Sequence, residues 1–189
     1  AGDIEVLEDL SPILHRPGMY TDPSNPNHAL VEIIDNSADE GLAGFANKIS
    51  VLIRENGSAE VIDNGRGIPV DIHPKKKIPA VQLIFTTLHS GGKFRKTNSD
   101  SVYRIAGGLH GVGVCVTNAL STRLEVNVKR NGSEYFLIFG PNGKLKKPME
   151  VIGKVPIRDT GTRIQFWPDK KFFDSNVFLE NDISTLLRA

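Results

Sequence analysis

Asn25-Pro26-Asn27-His28-Ala29-Leu30-Val31-Glu32-Ile33-Ile34-Asp35-Asn36-Ser37-Ala38-Asp39-Glu40-Gly41-Leu42-Ala43 is the stretch on which the fold turns. Asn25 can cap a helix, Pro26 fits a first turn and Gly41 or Gly44 stands near the end, so a helix is predicted over 29–43. Its body is apolar around most of the circumference yet carries Glu32, Asp35, Asn36, Asp39 and Glu40. A largely buried helix with that many acids must satisfy them with partners or use them. Glu32, Asn36 and Glu40 stand at i, i+4 and i+8 and share one face. A carboxylate and an amide oxygen one turn apart could set a water beside a hard cation such as Mg²⁺. The same acids also read as a solvated face, or as partners of Arg16 or Arg66.

Working outward, Pro12, Pro17 and Gly18 end an incoming segment in a turn near Arg16-Pro17-Gly18. After the helix, Ile49, Val51 and Ile53 alternate as a strand, Asn56-Gly57 signals a hairpin and 60–63 returns antiparallel. A second helix is predicted over 79–89. Between 90 and 109 the pattern dissolves into Gly, Lys, Asn and Ser, the composition of a long lid loop. A helix over 111–120 follows, then strands at 124–129 and 134–139 around Asn131-Gly132, a turn at Pro141-Asn142-Gly143, a strand over 162–167 and a helical tail at 177–187. Helices and antiparallel strands in this order give the α+β class, a two-layer α/β sandwich with a mixed, mostly antiparallel sheet and helices on one face. The 189 residues fit one domain.

Two further motifs are ambiguous alone. Gly107-Gly108-Leu109-His110-Gly111-Val112-Gly113 leads into a helix, where backbone N–H groups and the helix dipole suit an anion, though a plain glycine hinge reads equally well. Val61-Ile62-Asp63-Asn64-Gly65-Arg66-Gly67-Ile68-Pro69 is foremost a turn, although an Asp closing a strand can accept from an exocyclic amine such as that of adenine. Gly91-Gly92-Lys93 fails as a Walker loop, because Thr87 occupies the first glycine position and no Ser or Thr follows the lysine. The dinucleotide fingerprint fails at Val116. No zinc spacing and no nucleophile elbow is present.

Composition narrows the class. The single Cys115 excludes a disulfide framework and suits a reducing compartment; its apolar neighbours Val114 and Val116 mark it as core. A formal net charge of +1 gives no global attraction to nucleic acid, and Lys75-Lys76-Lys77 reads as a solvated loop. No apolar run approaches the roughly 20 residues of a membrane span, and the first residues carry no signal-peptide pattern. A cytoplasmic globular domain, trimmed at its start, is expected.

Taken together and in order, Glu32-Ile33-Ile34-Asp35-Asn36, Asp63-Asn64-Gly65-Arg66-Gly67, Gly107 to Gly113 and Thr160-Gly161-Thr162 resemble the GHKL ATPase superfamily. Within it, Arg16-Pro17-Gly18-Met19-Tyr20, Leu88-His89-Ser90-Gly91-Gly92-Lys93-Phe94 and Phe166-Trp167-Pro168 are similar to the ATPase domain of bacterial type IIA topoisomerases. Tyr20-Thr21-Asp22, Pro26-Asn27-His28 and Phe172-Phe173-Asp174-Ser175 are more like the topoisomerase IV branch than the gyrase branch. The segments at Arg16 to Tyr20 and Leu88 to Phe94 disfavour a MutL-like or Hsp90-like member.

The resemblance implies ATP and Mg²⁺ as cofactors and assigns roles. Glu32 would be the general base toward the attacking water, with Asp39 a supporting acid and His110 assisting near the γ-phosphate. Asn36 would ligate Mg²⁺. Asp63, helped by Thr162, would accept the adenine amine beside a wall of Gly67, Ile68 and Pro69, with Arg66 paired to Glu40. Gly108, Leu109, His110, Gly111, Val112, Gly113 and Val114 would wrap the phosphates. Lys93 and Tyr103 would reach the nucleotide from the lid, whose 94–102 portion is longer than the family pattern. Aminocoumarin inhibitors would bind near Asp63, Arg66 and Arg130. The family further implies an ATP-closed homodimer that gates DNA, a heterotetramer with the DNA-cleaving partner chain of topoisomerase IV (its A-type component), and a bacterial, nucleoid-associated location. The second subdomain of the family, with its γ-phosphate lysine, is missing from the pattern, so a monomeric, slow ATPase is expected. A non-catalytic nucleotide module and a basic interaction domain are the competing classes.

Overall fold

A computed structural model describes residues 9–88 and 113–186; of Leu186 only the backbone is described. The expected site residues Lys93, Tyr103, Gly108, Leu109, His110, Gly111 and Val112, and the expected lid at 90–109, lie outside the described residues. After the short helix α1 (Ser11–His15) and a 3-10 turn (Pro17–Met19) comes α2 (Asn27–Leu42). The N-cap is Pro26 rather than the expected Asn25, which sits one residue ahead of it and accepts from the Asn27 N–H at 3.0 Å.

The hairpin β1 (Ile49–Ile53) and β2 (Ala59–Asp63) follows, then α3 (Ala80–Thr86) and α4 (Gly113–Ala119). The remaining strands are β3 (Ser121–Arg130), β4 (Ser133–Phe139), β5 (Leu145–Lys154) and β6 (Gly161–Pro168), and α5 (Glu180–Leu186) comes last. Asn131 and Gly132 take φ of 53° and 75°, the left-handed pair that a two-residue hairpin requires. The strand β5 is not evident from sequence. Pro148 and Gly153 interrupt its pattern, and both are tolerated because β5 is an edge strand.

The strand order is β1-β2-β6-β3-β4-β5, with every described pairing antiparallel. Alternation assigns one face to Val61, Ile164, Val126 and Leu137, which are buried with Ile33 and Leu30 of α2 and with Val116 of α4. Phe166, also on this face, meets Phe178 edge-on at 5.9 Å. The opposite face mixes charged residues such as Arg163 and Glu125 with Ile62, Phe136 and Ile138. There Glu60 is buried by Arg54 and Arg163, whose hydrogen bonds and charges outweigh burial and hold its carboxyl below the usual range. No helix among the described residues is long and apolar enough to cross a membrane.

The β6 strand lies between β2 and β3, so a crossover returns the chain to the centre of the sheet after β5. That return places Thr162 opposite Asp63 and opposite Val128. Residues distant in sequence thereby meet at one end of the sheet, directly against α2.

Candidate functional site

The site grows from Asp63, the last residue of β2. Its side chain points to the helix face and is 6% exposed. One carboxylate oxygen accepts from Ser37 Oγ at 2.9 Å and the other from the Gly65 N–H at 2.9 Å. Burial pushes the carboxyl above its ordinary value; hydrogen bonds from Gly65, Ser37 and the Thr162 backbone pull it partly back, and the Glu40 charge adds to the rise. With Ser37, Gly65 and the Thr162 backbone as donors, the carboxylate keeps acceptor capacity for one incoming N–H donor. Thr162 Oγ1 accepts from the Ile68 N–H at 3.1 Å, which fixes the segment after the turn.

The turn itself requires glycine. Gly67 adopts φ +77°, and a Cβ there would stand 2.6 Å from the Lys129 carbonyl oxygen. Ile68 behind it is fully buried, while Pro69 is half-buried. Arg66, between the two glycines, clamps Glu40. Its backbone N–H and Nε donate to Oε2 at 2.9 and 3.1 Å, and a terminal nitrogen donates to Oε1 at 2.7 Å. The Arg66 guanidinium lies 3.7 Å from the centroid of the Phe45 ring. Burial works to raise the Glu40 pKa, but the bonds and charge of Arg66 win and the net value falls. Arg130 donates to the carbonyls of Arg66 and Gly67 at 3.1 and 2.7 Å, so it borders this turn.

Along α2 the remaining polar groups form a second stripe. Glu32 is half-buried and pressed against Gly113 at the start of α4: a Cβ on Gly113 would lie 2.7 Å from Glu32 Cδ. Val114 beside it is half-buried. Asn36 is half-buried one turn beyond Glu32. Burial raises Asp35 and drives Asp39 up to about 6, with the Asp35 and Glu40 charges contributing to Asp39. The structure therefore brings Glu32, Asn36, Asp39, Asp63, Arg66, Gly67, Ile68, Pro69, Gly113, Val114, Thr162 and Arg130 to one end of the sheet and the helix above it. Cys115 is buried with its thiol pushed up to about 12, as expected of core rather than of a nucleophile.

Two further polar residues of α2 are given no role by the sequence reading. Ser37 carries the bond to Asp63, and its only signal is a hydroxyl on the buried side of an acid-rich helix. His28 stands one turn before Glu32, shares a 3.1 Å hydrogen bond with Thr21 Oγ1, and its charge favours the ionised form of Asp35. The i, i+4 spacing to Glu32 is the available sign.

Comparison with known proteins identifies the arrangement. Residues 21–171 match the family described as histidine kinase-, DNA gyrase B- and HSP90-like ATPase. The chain belongs to that family. The resemblance read from the motifs holds at the level of relatives as well. Over its full 189 residues the chain is 56% identical to the B subunit of DNA topoisomerase 4 from Francisella tularensis subsp. holarctica, of which it spans 29%. The topoisomerase IV ATP-binding domain of Francisella tularensis, solved with a small-molecule inhibitor, superposes with a TM-score of 0.82 at 47% identity, covering 96% of this chain and 47% of that one. The 43K ATPase domain of Thermus thermophilus gyrase B, solved with an aminocoumarin, gives 0.81 at 40% identity over 98% and 46%. The α+β sandwich is thus the fold of this ATPase family, and the chain corresponds to the ATPase region of a type IIA topoisomerase.

Proposed function

We propose that this chain binds ATP between α2 and the end of the sheet and hydrolyses it to drive a type IIA topoisomerase, with topoisomerase IV as the parent enzyme. The observation that carries the reading is the Asp63 carboxylate, buried, oriented by Ser37 and Gly65, and retaining acceptor capacity beside the Gly67-Ile68-Pro69 wall. Such a group selects a ring bearing an exocyclic amine. Thr162 and Ile68 hold the wall in place, and the Glu40–Arg66 clamp braces the turn that forms it.

On the same helix, Glu32 would orient and deprotonate a water for in-line attack on the γ-phosphate, with Asp39 as a supporting acid. Among the described residues no cluster of three His, Cys, Asp or Glu side chains could hold a metal. Mg²⁺ usually keeps several waters and takes its other ligands from substrate phosphates, so one amide oxygen, that of Asn36, suffices as its protein ligand. When bound, the ion would neutralise phosphate charge. Gly113 and Val114, at the start of α4, would wrap the phosphates together with Gly108, Leu109, His110, Gly111 and Val112; Lys93 and Tyr103 would contact the nucleotide, and His110 would assist at the γ-phosphate. These roles rest on the family resemblance.

The rest of the reading rests on the family resemblance. ATP binding closes two such domains into a DNA gate, the A-type partner chain of topoisomerase IV supplies DNA cleavage in a heterotetramer, and the enzyme works at the nucleoid in the bacterial cytoplasm. Aminocoumarins bind at the turn bordered by Asp63, Arg66 and Arg130. The test is a calorimetric titration with a non-hydrolysable ATP analogue, with and without Mg²⁺, on the wild type and Asp63→Asn. A hydrogen bond to a charged group is worth about 1.5–3 kcal/mol, so the substitution is expected to weaken binding by about 10- to 150-fold. Unchanged affinity in a folded variant would refute the adenine assignment.

A further inference from the structure

The N-terminus of α2 is tied to the C-terminal segment by a side chain to which neither the sequence reading nor the site chemistry gives a role. Asn27, the first residue of α2, is 2% exposed. Its amide nitrogen donates to the Leu179 carbonyl at 3.1 Å and its amide oxygen accepts from the Leu179 N–H at 3.0 Å. This two-point pairing copies a strand-to-strand contact and consumes both ends of the amide. Leu179 immediately precedes α5, and its carbonyl also accepts from the Asp182 and Ile183 N–H groups at 3.1 and 3.0 Å. One carbonyl is therefore shared by the first turn of α5 and the first residue of α2.

The tie is reinforced on both sides. Upstream, the Asp174 and Ser175 N–H groups donate to the Pro23 and Ser24 carbonyls at 2.8 and 3.2 Å. Within the segment, Phe173, Phe178 and Ile183 are buried in the same core as Leu30 and Ile33 of α2. The segment cannot shift without dragging the start of α2 with it, and Glu32 lies five residues further along that helix.

We propose that Asn27 is a positioning residue: it locks the C-terminal segment to α2 and so fixes where Glu32 stands relative to the bound nucleotide. The proposal rests on the reading of Glu32 as the base. Because Ser37 and Glu40 lie beyond Glu32 on the helix, nearer the Asp63 turn, the latch governs turnover more than affinity. The amide serves both Leu179 groups with separate atoms, its nitrogen as donor and its oxygen as acceptor. An aspartate of the same shape would set an oxygen against the Leu179 carbonyl and lose the donor.

Asn27→Asp and Asn27→Ser are compared with the wild type and Glu32→Gln for steady-state ATP hydrolysis, analogue binding and amide exchange at Leu179 and Leu30. Small misplacements of reacting groups cost orders of magnitude in rate, so Asn27→Asp should lower kcat by about ten-fold or more. Analogue affinity should stay within about three-fold, and both amides should exchange faster. Asn27→Ser, judged by the same criteria, decides the matter if the charged variant does not fold. Faster exchange at Leu179 with unchanged kcat overturns the proposal, as does an affinity loss equal to the loss in kcat. If Glu32→Gln itself turns over normally, the base reading has failed; if it is inactive while both Asn27 variants are normal, only the latch has failed.

Discussion

Two regions of α2 treat their carboxyl groups in opposite ways. Toward Asp63, Glu40 is buried yet held below its ordinary pKa, because Arg66 supplies three hydrogen bonds and a charge. Toward Glu32, burial raises Asp35 and Asp39, and Asp35 adds its charge against Asp39. One region is satisfied within the protein; the other accumulates negative groups under partial burial. Burying carboxylates costs free energy, and proteins concentrate such perturbed acids where chemistry is done. The contrast teaches which part is prebuilt for recognition and which is set up to act on a ligand.

The largest effect should come from breaking the second region at its proposed base. Glu32→Gln keeps the shape and removes the proton acceptor. General-base contributions run at about 10²- to 10⁴-fold, so turnover should drop by that range while analogue affinity stays near wild type. Turnover within a few-fold of wild type would move catalysis elsewhere, and the contrast between the two regions would then be purely structural.

A smaller loss tests the packing that holds that base. Gly113 leaves no room for a side chain beside Glu32, so Gly113→Ala must displace the carboxylate. An expected fall in kcat of about ten- to a hundred-fold, larger than the change in analogue affinity, would show Gly113 setting the position of Glu32. Equal losses in both would make Gly113 a phosphate contact first.

Much of this is legible in the sequence because the signals are local. Asn25-Pro26 announces α2, Asn56-Gly57 and Asn131-Gly132 announce hairpins, and Gly65-Arg66-Gly67 announces a turn. The Glu40–Arg66 pair can be named because both residues lie in recognisable motifs. What escapes is non-local or context-dependent. Ser37 matters only because the sheet delivers Asp63 to it, and Asn27 only because Leu179 returns to the same corner. The β5 strand is hidden by Pro148, which an edge accommodates and a sequence pattern reads as a break.

The smallest effect, on stability rather than turnover, sharpens the comparison through pH. Asp39 titrates at about 6 in the folded chain against an ordinary value of 3.8, first because it is buried and then because Asp35 and Glu40 are near. A raised folded pKa means that the folded state holds the proton more tightly than the unfolded one. The stabilisation is therefore complete below pH of about 4 and is lost as pH rises through about 6. Asp39→Asn imitates the protonated form. At pH 7 the variant should be more stable than the wild type by about 1–3 kcal/mol, from about 1.4 kcal/mol per unit, and the difference should vanish near pH 4. Urea denaturation at both pH values measures it. Glu40 predicts the reverse sign: its lowered pKa contributes stability above its unfolded value of 4.5, lost as pH falls. If Asp39→Asn were neutral at pH 7, its carboxyl would be compensated like that of Glu40, and the distinction between the two regions of α2 would not hold.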